Sequence, residues 1–274
     1  MRPSSEGRRL RLDVLLVETG LAESREKAQA LVMAGRVRVN GEPAAKPGTA
    51  VRRSDAIEIL PGPAHVGRGA LKLEGALDAF GLDPAGRVAV DVGASTGGFT
   101  ETLLSRGASR VYAVDVGRGQ LHEKLRADPR VVVVEGVNAR RLSVEIVPEP
   151  CSLATVDVSF ISVRKVLGPL RGVLAPGADA LVLVKPQFEV GKGQVGRGGI
   201  VKDHALHLQA LRDVALEAGR VLGYAIRGAC ASPITGSEGN REFFLHLGLQ
   251  PETREAEQIG AELERAVFGS LPVQ

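Results

Sequence analysis

The chain is poor in aromatic and sulfur-containing residues: 274 residues hold no tryptophan, seven phenylalanines, two tyrosines and two cysteines. Cys151 and Cys230 are too few for a disulfide framework and are expected to be buried free thiols. The five histidines show no metal-ligand spacing, so no metal site is expected. No apolar run approaches the roughly 18 residues of a membrane-spanning helix. The opening stretch MRPSSEGRRLRL lacks the apolar segment of a secretory signal, so a cytoplasmic location is expected. No aromatic residue precedes Phe80, which leaves the first part of the chain without the platforms that stack on unpaired bases.

What is present is unevenly distributed. Hydrophobic residues make up 44% and charged residues 24%, an ordinary globular composition with a net charge of +3. Residues 1–60 carry 11 Lys/Arg against 8 Asp/Glu, and the remainder balances at 24 against 24. All the excess positive charge therefore lies in the first sixty residues, which suggests a polyanionic partner there. Three segments are expected: a small domain over 1–61, a linker and leading helix over 62–86, and a larger domain over 87–274.

In the first segment, Leu12, Leu15 and Leu16 share one face of a helix expected over Leu10–Thr19. Ser24 is placed to cap a second helix carrying Ala28, Leu31 and Val32, with Gly35 at its end. Arg36-Val37-Arg38-Val39 alternates basic and apolar residues, as in a strand with one wet, positive face. Asn40-Gly41 signals a tight turn. Ala56–Leu60 reads as a second strand before the break at Pro61-Gly62-Pro63. Arg25 and Lys27 on the helix, with Arg36 and Arg38 on the strand, make a surface that could grip phosphates without reading bases.

From Arg87 onward short apolar strands alternate with helical patterns: Val88–Val92, Val111–Val114, Val131–Val134, Ala154–Val156 and Ala180–Val184. This predicts a doubly wound α/β domain, Rossmann-like, with a mostly parallel sheet. Ligands in such folds bind past the carboxyl ends of the strands. The first such place is Asp91-Val-Gly93-Ala94-Ser95-Thr96-Gly97-Gly98-Phe99. Its glycines permit a sharp turn and a close approach to a ligand. Asp115 follows at the spacing expected of a carboxylate that takes ribose hydroxyls. The pair fits a dinucleotide or S-adenosylmethionine. The departure from G-x-G-x-x-G favours the methyl donor, and so does Asp91, placed where it could face a cationic ligand. Asn138, after the third strand, is a candidate for the adenine edge. Asp157 and Lys185 stand at the ends of adjacent strands, where a single charge would be unremarkable and two are harder to dismiss. Lys72 lies at the start of the leading helix, and Glu242 opens a late apolar strand.

Two resemblances give these residues a context. The stretch RLDVLLVETGLAESREKAQALVMAGRVRVNGE resembles the S4 domain, an RNA-binding module, with R-L-D, G-L-x-x-S-R-x-x-A and G-x-V-x-V-N-G in order. GASTGGFT with Lys72, Asp157, Lys185 and Glu242 resembles the K-D-K-E set of FtsJ/RrmJ-type ribose 2'-O-methyltransferases. Together with LVKPQFEVGKGQVGRGGIV, the chain from about Arg9 to Leu247 is similar to the TlyA family, also called haemolysin A. The resemblance implies an S-adenosylmethionine-dependent rRNA methyltransferase acting on a cytidine 2'-OH, with rRNA or ribosomal subunits as partner. It implies cofactor contacts at Asp91, Gly93, Ala94, Ser95, Thr96, Gly97, Phe99, Asp115, Asn138 and Asp157. RNA contacts are expected at Arg9, Arg11, Arg25, Lys27, Arg36, Arg38, Arg68, Arg140 and Lys192, with Arg141 a further loop cation. A ribose hydroxyl reacts poorly until its proton begins to leave, and an ordinary lysine, with a pKa of about 10.4, is a weak base at neutral pH. On this resemblance Lys185 is expected to orient and deprotonate the hydroxyl. Lys72 would then tune Lys185 or hold phosphate, Asp157 would fix Lys185, and Glu242 would orient the lysines. The rival readings are a non-catalytic ribosome-binding factor, a membrane-active haemolysin and an S4-bearing pseudouridine synthase. The last would have no use for GASTGG.

Overall fold

The computed structural model describes residues 9–22, 24–33, 37–44, 46–59, 66–236, 238–250 and 254–269. The chain forms two compact units, Met1–Ala64 and His65–Gln274. Arg36, the expected cap Gly35, the strand end Leu60 and the break at 61–63 lie outside the described residues.

In the first unit, β1 (Leu10–Arg11) leads into α1 (Leu12–Glu18), followed by α2 (Arg25–Met33), β2 (Val37–Val39), β3 (Glu42–Pro43), β4 (Ala50–Val51) and β5 (Ile57–Ile59). The first helix starts two residues later than expected, because Leu10 and Arg11 are extended and pair with Val51 and Ala50. Leu12, Leu15 and Leu16 close on Ala28, Val32, Val37 and Val51 to make this unit's own core. Ser24 Oγ accepts the Lys27 backbone N–H at 3.2 Å, an N-cap for α2. Asn40 and Gly41 both take positive φ, 52° and 85°, as a two-residue hairpin turn between β2 and β3 requires.

In the second unit, α3 (Gly69–Phe80) precedes β6 (Val88–Val92), α4 (Gly98–Ser105), β7 (Arg110–Asp115), α5 (Glu123–Arg126) and β8 (Val131–Glu135). There follow β9 (Cys151–Val156), α6 (Arg164–Arg171), β10 (Leu174–Val184), α7 (Pro186–Glu189), α8 (His204–Leu216), β11 (Ala225–Ala231), β12 (Phe243–Gly248) and α9 (Ala256–Phe268). The seven strands are ordered β11-β12-β10-β9-β6-β7-β8. β6 to β10 run parallel, and β12 is antiparallel to both of its neighbours. Leu73 and Leu77 of α3 and Phe99 and Leu103 of α4 bury one face of the sheet. Leu167 and Leu170 of α6, Leu211 and Val214 of α8, and Val267 of α9 bury the other.

This topology assembles the functional end. The carboxyl ends of β6, β7, β9 and β10 lie along one edge, and the antiparallel β12 brings its starting end there. Phe243 pairs with Val184, so Glu242 comes beside Lys185 although 57 positions separate them in the chain.

Candidate active site

The β6–α4 turn is shaped by conformations that side chains resist. Gly93 has φ 90°, and a Cβ there would overlap the Asp157 carbonyl oxygen. Gly97 has φ 100° and packs against Leu121 and Leu125. The Asp115 carboxylate closes the turn from β7: one oxygen accepts the Ser95 N–H at 2.8 Å and the other the Gly117 N–H at 2.7 Å. Gly93, Ser95, Asp115, Val116, Asn138 and Asp157 are among the residues bounding a cavity of about 390 Å³. Apolar Val137 and Ile161 also line it, which suits a purine ring.

Two expected cofactor contacts require correction. Asp91 is fully buried, and its carboxylate accepts hydrogen bonds from Thr100 Oγ1 at 2.7 Å and Thr155 Oγ1 at 3.0 Å. It fastens β6 to α4 and β9 and does not line the cavity. Phe99 is 3% exposed and stacks on Phe244, with ring centres 6.0 Å apart, inside the core. Both are buried because α4 packs its first turn directly onto the sheet. Ala94, Thr96 and Gly97 form the turn without lining the cavity.

A second cavity, of about 410 Å³, adjoins the first and shares Ser159 and Phe160 with it. Lys185, Gln187, Phe188, Gly198 and Glu242 are among its walls. The four expected catalytic residues resolve here into two ion pairs. Lys185 Nζ lies 2.6 Å from Asp157 Oδ1 and also donates to Ser159 Oγ at 2.8 Å. Lys72 Nζ donates to Glu242 Oε2 at 2.6 Å. Lys72, Lys185 and Glu242 are each less than a tenth exposed. Of the two lysines that Glu242 was expected to orient, it holds Lys72 directly, while Lys185 is held by Asp157 and Ser159.

Several contributors were not legible in the sequence. Phe160, between the two cavities, is 89% exposed, has φ 64°, and leans on Phe188 with ring centres 5.4 Å apart. Its loop is pinned by buried Glu189, which accepts from Ser162 Oγ at 2.6 Å and the Val163 N–H at 2.7 Å. Burial pushes the Glu189 carboxyl above its ordinary range. Asn240, 1% exposed, staples the glycine loop: its Oδ1 accepts the Val201 N–H at 3.0 Å and its Nδ2 donates to Gly199 O at 2.9 Å. Nothing local in the sequence marks these residues, since each acts through a loop distant in the chain.

The expected RNA contacts fall into groups. Arg11 and Arg25 donate to buried Asp13, Arg25 at 3.1 Å, and Gln29 joins at 2.9 Å. The Arg11 hydrogen bonds hold the Asp13 carboxyl well below the usual range. Arg25 and Gln29 thereby fasten α2 to α1, Arg11 braces the start of α1, and both arginine side chains remain about half exposed. Arg9, Lys27 and Arg38 are exposed. Arg68 is exposed and donates to Thr235 O at 3.2 Å, and Arg140 Nε donates to Asn138 Oδ1 at 3.2 Å. Arg141 is exposed. The Lys192 side chain lies outside what is described.

The family of FtsJ-like methyltransferases matches residues 65–249, and the S4 domain matches residues 10–57. The chain is 51% identical, over 247 residues, to the 16S/23S rRNA (cytidine-2'-O)-methyltransferase TlyA of Mycobacterium tuberculosis, covering 89% of this chain and 92% of that protein. The chain belongs to the TlyA family. Another relative, Hemolysin A of Brachyspira hyodysenteriae, is 39% identical over 239 residues, covering 87% of this chain and 99% of that protein. A solved structure named as a hemolysin from Streptococcus thermophilus is 40% identical, with a TM-score of 0.70, covering 94% of this chain and 96% of that one. Among the described residues of this TlyA-family protein, no helix is long and apolar enough to cross a membrane, and no cluster of metal-ligating side chains occurs.

Proposed function

We propose that the protein transfers a methyl group from S-adenosylmethionine to the ribose 2'-OH of a cytidine in ribosomal RNA, acting in the cytoplasm on ribosomal subunits. The observation that carries this reading is the Asp157–Lys185 pair. Asp157 borders the first cavity and Lys185 the second, and the 2.6 Å contact between them spans the junction that a transferred methyl group must cross.

The first cavity fits the methyl donor: a glycine turn allows close approach, Asp115 retains free lone pairs for ribose hydroxyls, and apolar walls flank a purine. Bound there, S-adenosylmethionine supplies an already activated methyl group, so the protein's task is orientation and proton handling. Lys185 Nζ lies 2.6 Å from Asp157 Oδ1 and donates to Ser159 Oγ, which holds it at the wall of the second cavity, beside the place of the hydroxyl. In this reading Lys185 acts as the neutral amine, one proton having left to solvent: its lone pair fixes the 2'-OH in line and takes that proton as the methyl group transfers. Asp157 aims Lys185, and the Lys72–Glu242 pair keeps the neighbouring wall in place. Phe160 and Phe188 offer aromatic faces to the base. Arg9, Lys27, Arg38, Arg68 and Arg140, with the half-exposed edges of Arg11 and Arg25, contact phosphate; residues 1–61 act as the RNA-binding segment ahead of the methyltransferase segment.

The test is methyl transfer from labelled S-adenosylmethionine to rRNA, with mapping of the modified nucleotide. Lys185→Ala should lower single-turnover rate at saturating RNA by roughly 10²–10⁴, the range for general acid–base groups, with cofactor affinity nearly unchanged. Lys185→Arg should also fail, because a guanidinium stays protonated and has a different shape. Near-normal chemistry in Lys185→Ala would overturn the proton-transfer role. Absence of any ribose methylation by the wild type would overturn the whole reading.

A further inference from the structure

The acceptor cavity contains one polar atom whose state is unexplained. Gln187, in α7 two residues beyond Lys185, lines this cavity, and its side-chain carbonyl oxygen is buried with no hydrogen-bond partner among the described residues. A buried acceptor left unpaired is costly, and native proteins rarely keep one without a use. The backbone cannot supply the missing donor nearby: the Phe188 and Val190 N–H groups already bond the Lys185 and Pro186 carbonyls. A donor that enters the cavity would supply the missing bond once the amide turns towards it. The last torsion of a glutamine side chain is broad, so a small rotation turns this carbonyl towards the space it borders.

We infer that Gln187 is a specificity-determining residue, which accepts a hydrogen bond from the exocyclic amino group of the target pyrimidine and so selects cytidine over uridine. This rests on the ribose-methyltransferase reading above and deepens it. The two pyrimidines have nearly the same shape, so the Phe160–Phe188 pair, which offers only ring faces, cannot separate them. They differ at C4, where cytidine carries an amino donor and uridine a carbonyl acceptor, and at N3, an acceptor in cytidine and an N–H donor in uridine; Gln187 is assigned to the C4 substituent. In the register that places Gln187 on the C4 substituent, uridine would set two acceptors against each other and leave the Gln187 carbonyl unpaired. A site built to bond a group on its substrate rejects the analogue that lacks it far more strongly than an apolar pocket does.

The experiment uses the full-length protein and ribosomal subunits bearing either cytidine or uridine at the nucleotide that the wild type methylates. The wild type should prefer cytidine in kcat/KM by at least tenfold and up to about a hundredfold. Gln187→Leu removes the acceptor at similar size. It should lose activity on cytidine, retain activity on uridine, and bring the ratio near one. Gln187→Glu keeps the acceptor and should keep the preference; a purely structural glutamine predicts an unchanged ratio in both variants, so the contrast between Leu and Glu decides. S-adenosylmethionine affinity, read by calorimetry, should be the same in all three proteins, since Gln187 does not line the donor cavity. A wild-type ratio near one, a reversed ratio, or an unchanged ratio in Gln187→Leu would overturn the inference. Each of those results still requires ribose methylation, so they are distinct from failure of the function itself, which shows as no methylated ribose in the wild type.

Discussion

Asp91 shows what a single residue does when it is removed from water. Burial pushes its carboxyl up to about 7; the Thr100 and Thr155 hydroxyls oppose the rise, and the charge of nearby Asp157 adds to it. The folded value therefore lies above the unfolded value of about 3.9. Between about pH 4 and 7 the unfolded chain has lost this proton and the folded protein retains it. Stability from this group accordingly falls as pH rises through that window, by up to about 1.4 kcal/mol per pH unit, and is constant outside it. Asp91→Asn should remove the contribution. Urea unfolding at a series of pH values should show wild type losing stability relative to the variant from pH 4 to 7, with cofactor affinity little altered. Parallel stability curves for the two proteins would contradict the assignment.

At the scale of elements, the donor cavity depends on how closely β6 and β9 finish. Gly93 at φ 90° lies against the Asp157 carbonyl, so the turn after one strand rests on the end of the next. Gly93→Ala combines a strained backbone, costing about 1–3 kcal/mol, with an overlap that only movement of Asp157 can relieve. Because Asp157 carries Lys185, displacement of the β9 end disturbs both cavities. The expected outcome is a lower melting temperature and at least tenfold weaker S-adenosylmethionine binding by calorimetry. Wild-type affinity in that variant would show that the close approach is dispensable. The same packing explains why GASTGG was legible as a sharp turn while the burial of Asp91 and Phe99 was not. The glycines announce the turn, but the direction of each neighbouring side chain is set by where α4 lands on the sheet.

For the whole molecule, the two units have separate cores: Leu12, Leu15, Leu16 and Val37 in one, and the clusters on either side of the seven-stranded sheet in the other. Neither core draws a residue from the other unit, so removal of residues 1–64 should leave the second unit folded. The truncated protein should bind S-adenosylmethionine within about twofold of wild type and lose RNA affinity at physiological salt. The full chain should show a clear negative slope of log affinity against log salt. If the truncated protein methylated rRNA at the wild-type rate, the excess positive charge of residues 1–60 would have no part in substrate binding.

Local pattern was enough to reveal the five parallel strands of the larger domain, the late strand after Glu242, the Asn40-Gly41 turn and the Ser24 cap, though not β11, because each of these depends on residues within a few positions of one another. The four charged residues Lys72, Asp157, Lys185 and Glu242 were also visible, since charge at the end of an apolar strand is unusual. Pairing was not visible. Lys72 meets Glu242 across 170 positions because an antiparallel β12 enters a parallel sheet beside β10, and Lys185 meets Asp157 across 28 because β9 and β10 are parallel neighbours. The two-residue strands β1 and β4 were equally hidden, being too short to carry a period. The same is true of Phe160, Glu189 and Asn240, whose roles arise from loops brought together by distant strands. Sequence determined which chemistry was present and on which elements it stood. Tertiary structure decided which charges neutralise each other, which carboxylate is buried, and which faces remain open to substrate, because those outcomes depend on long-range packing.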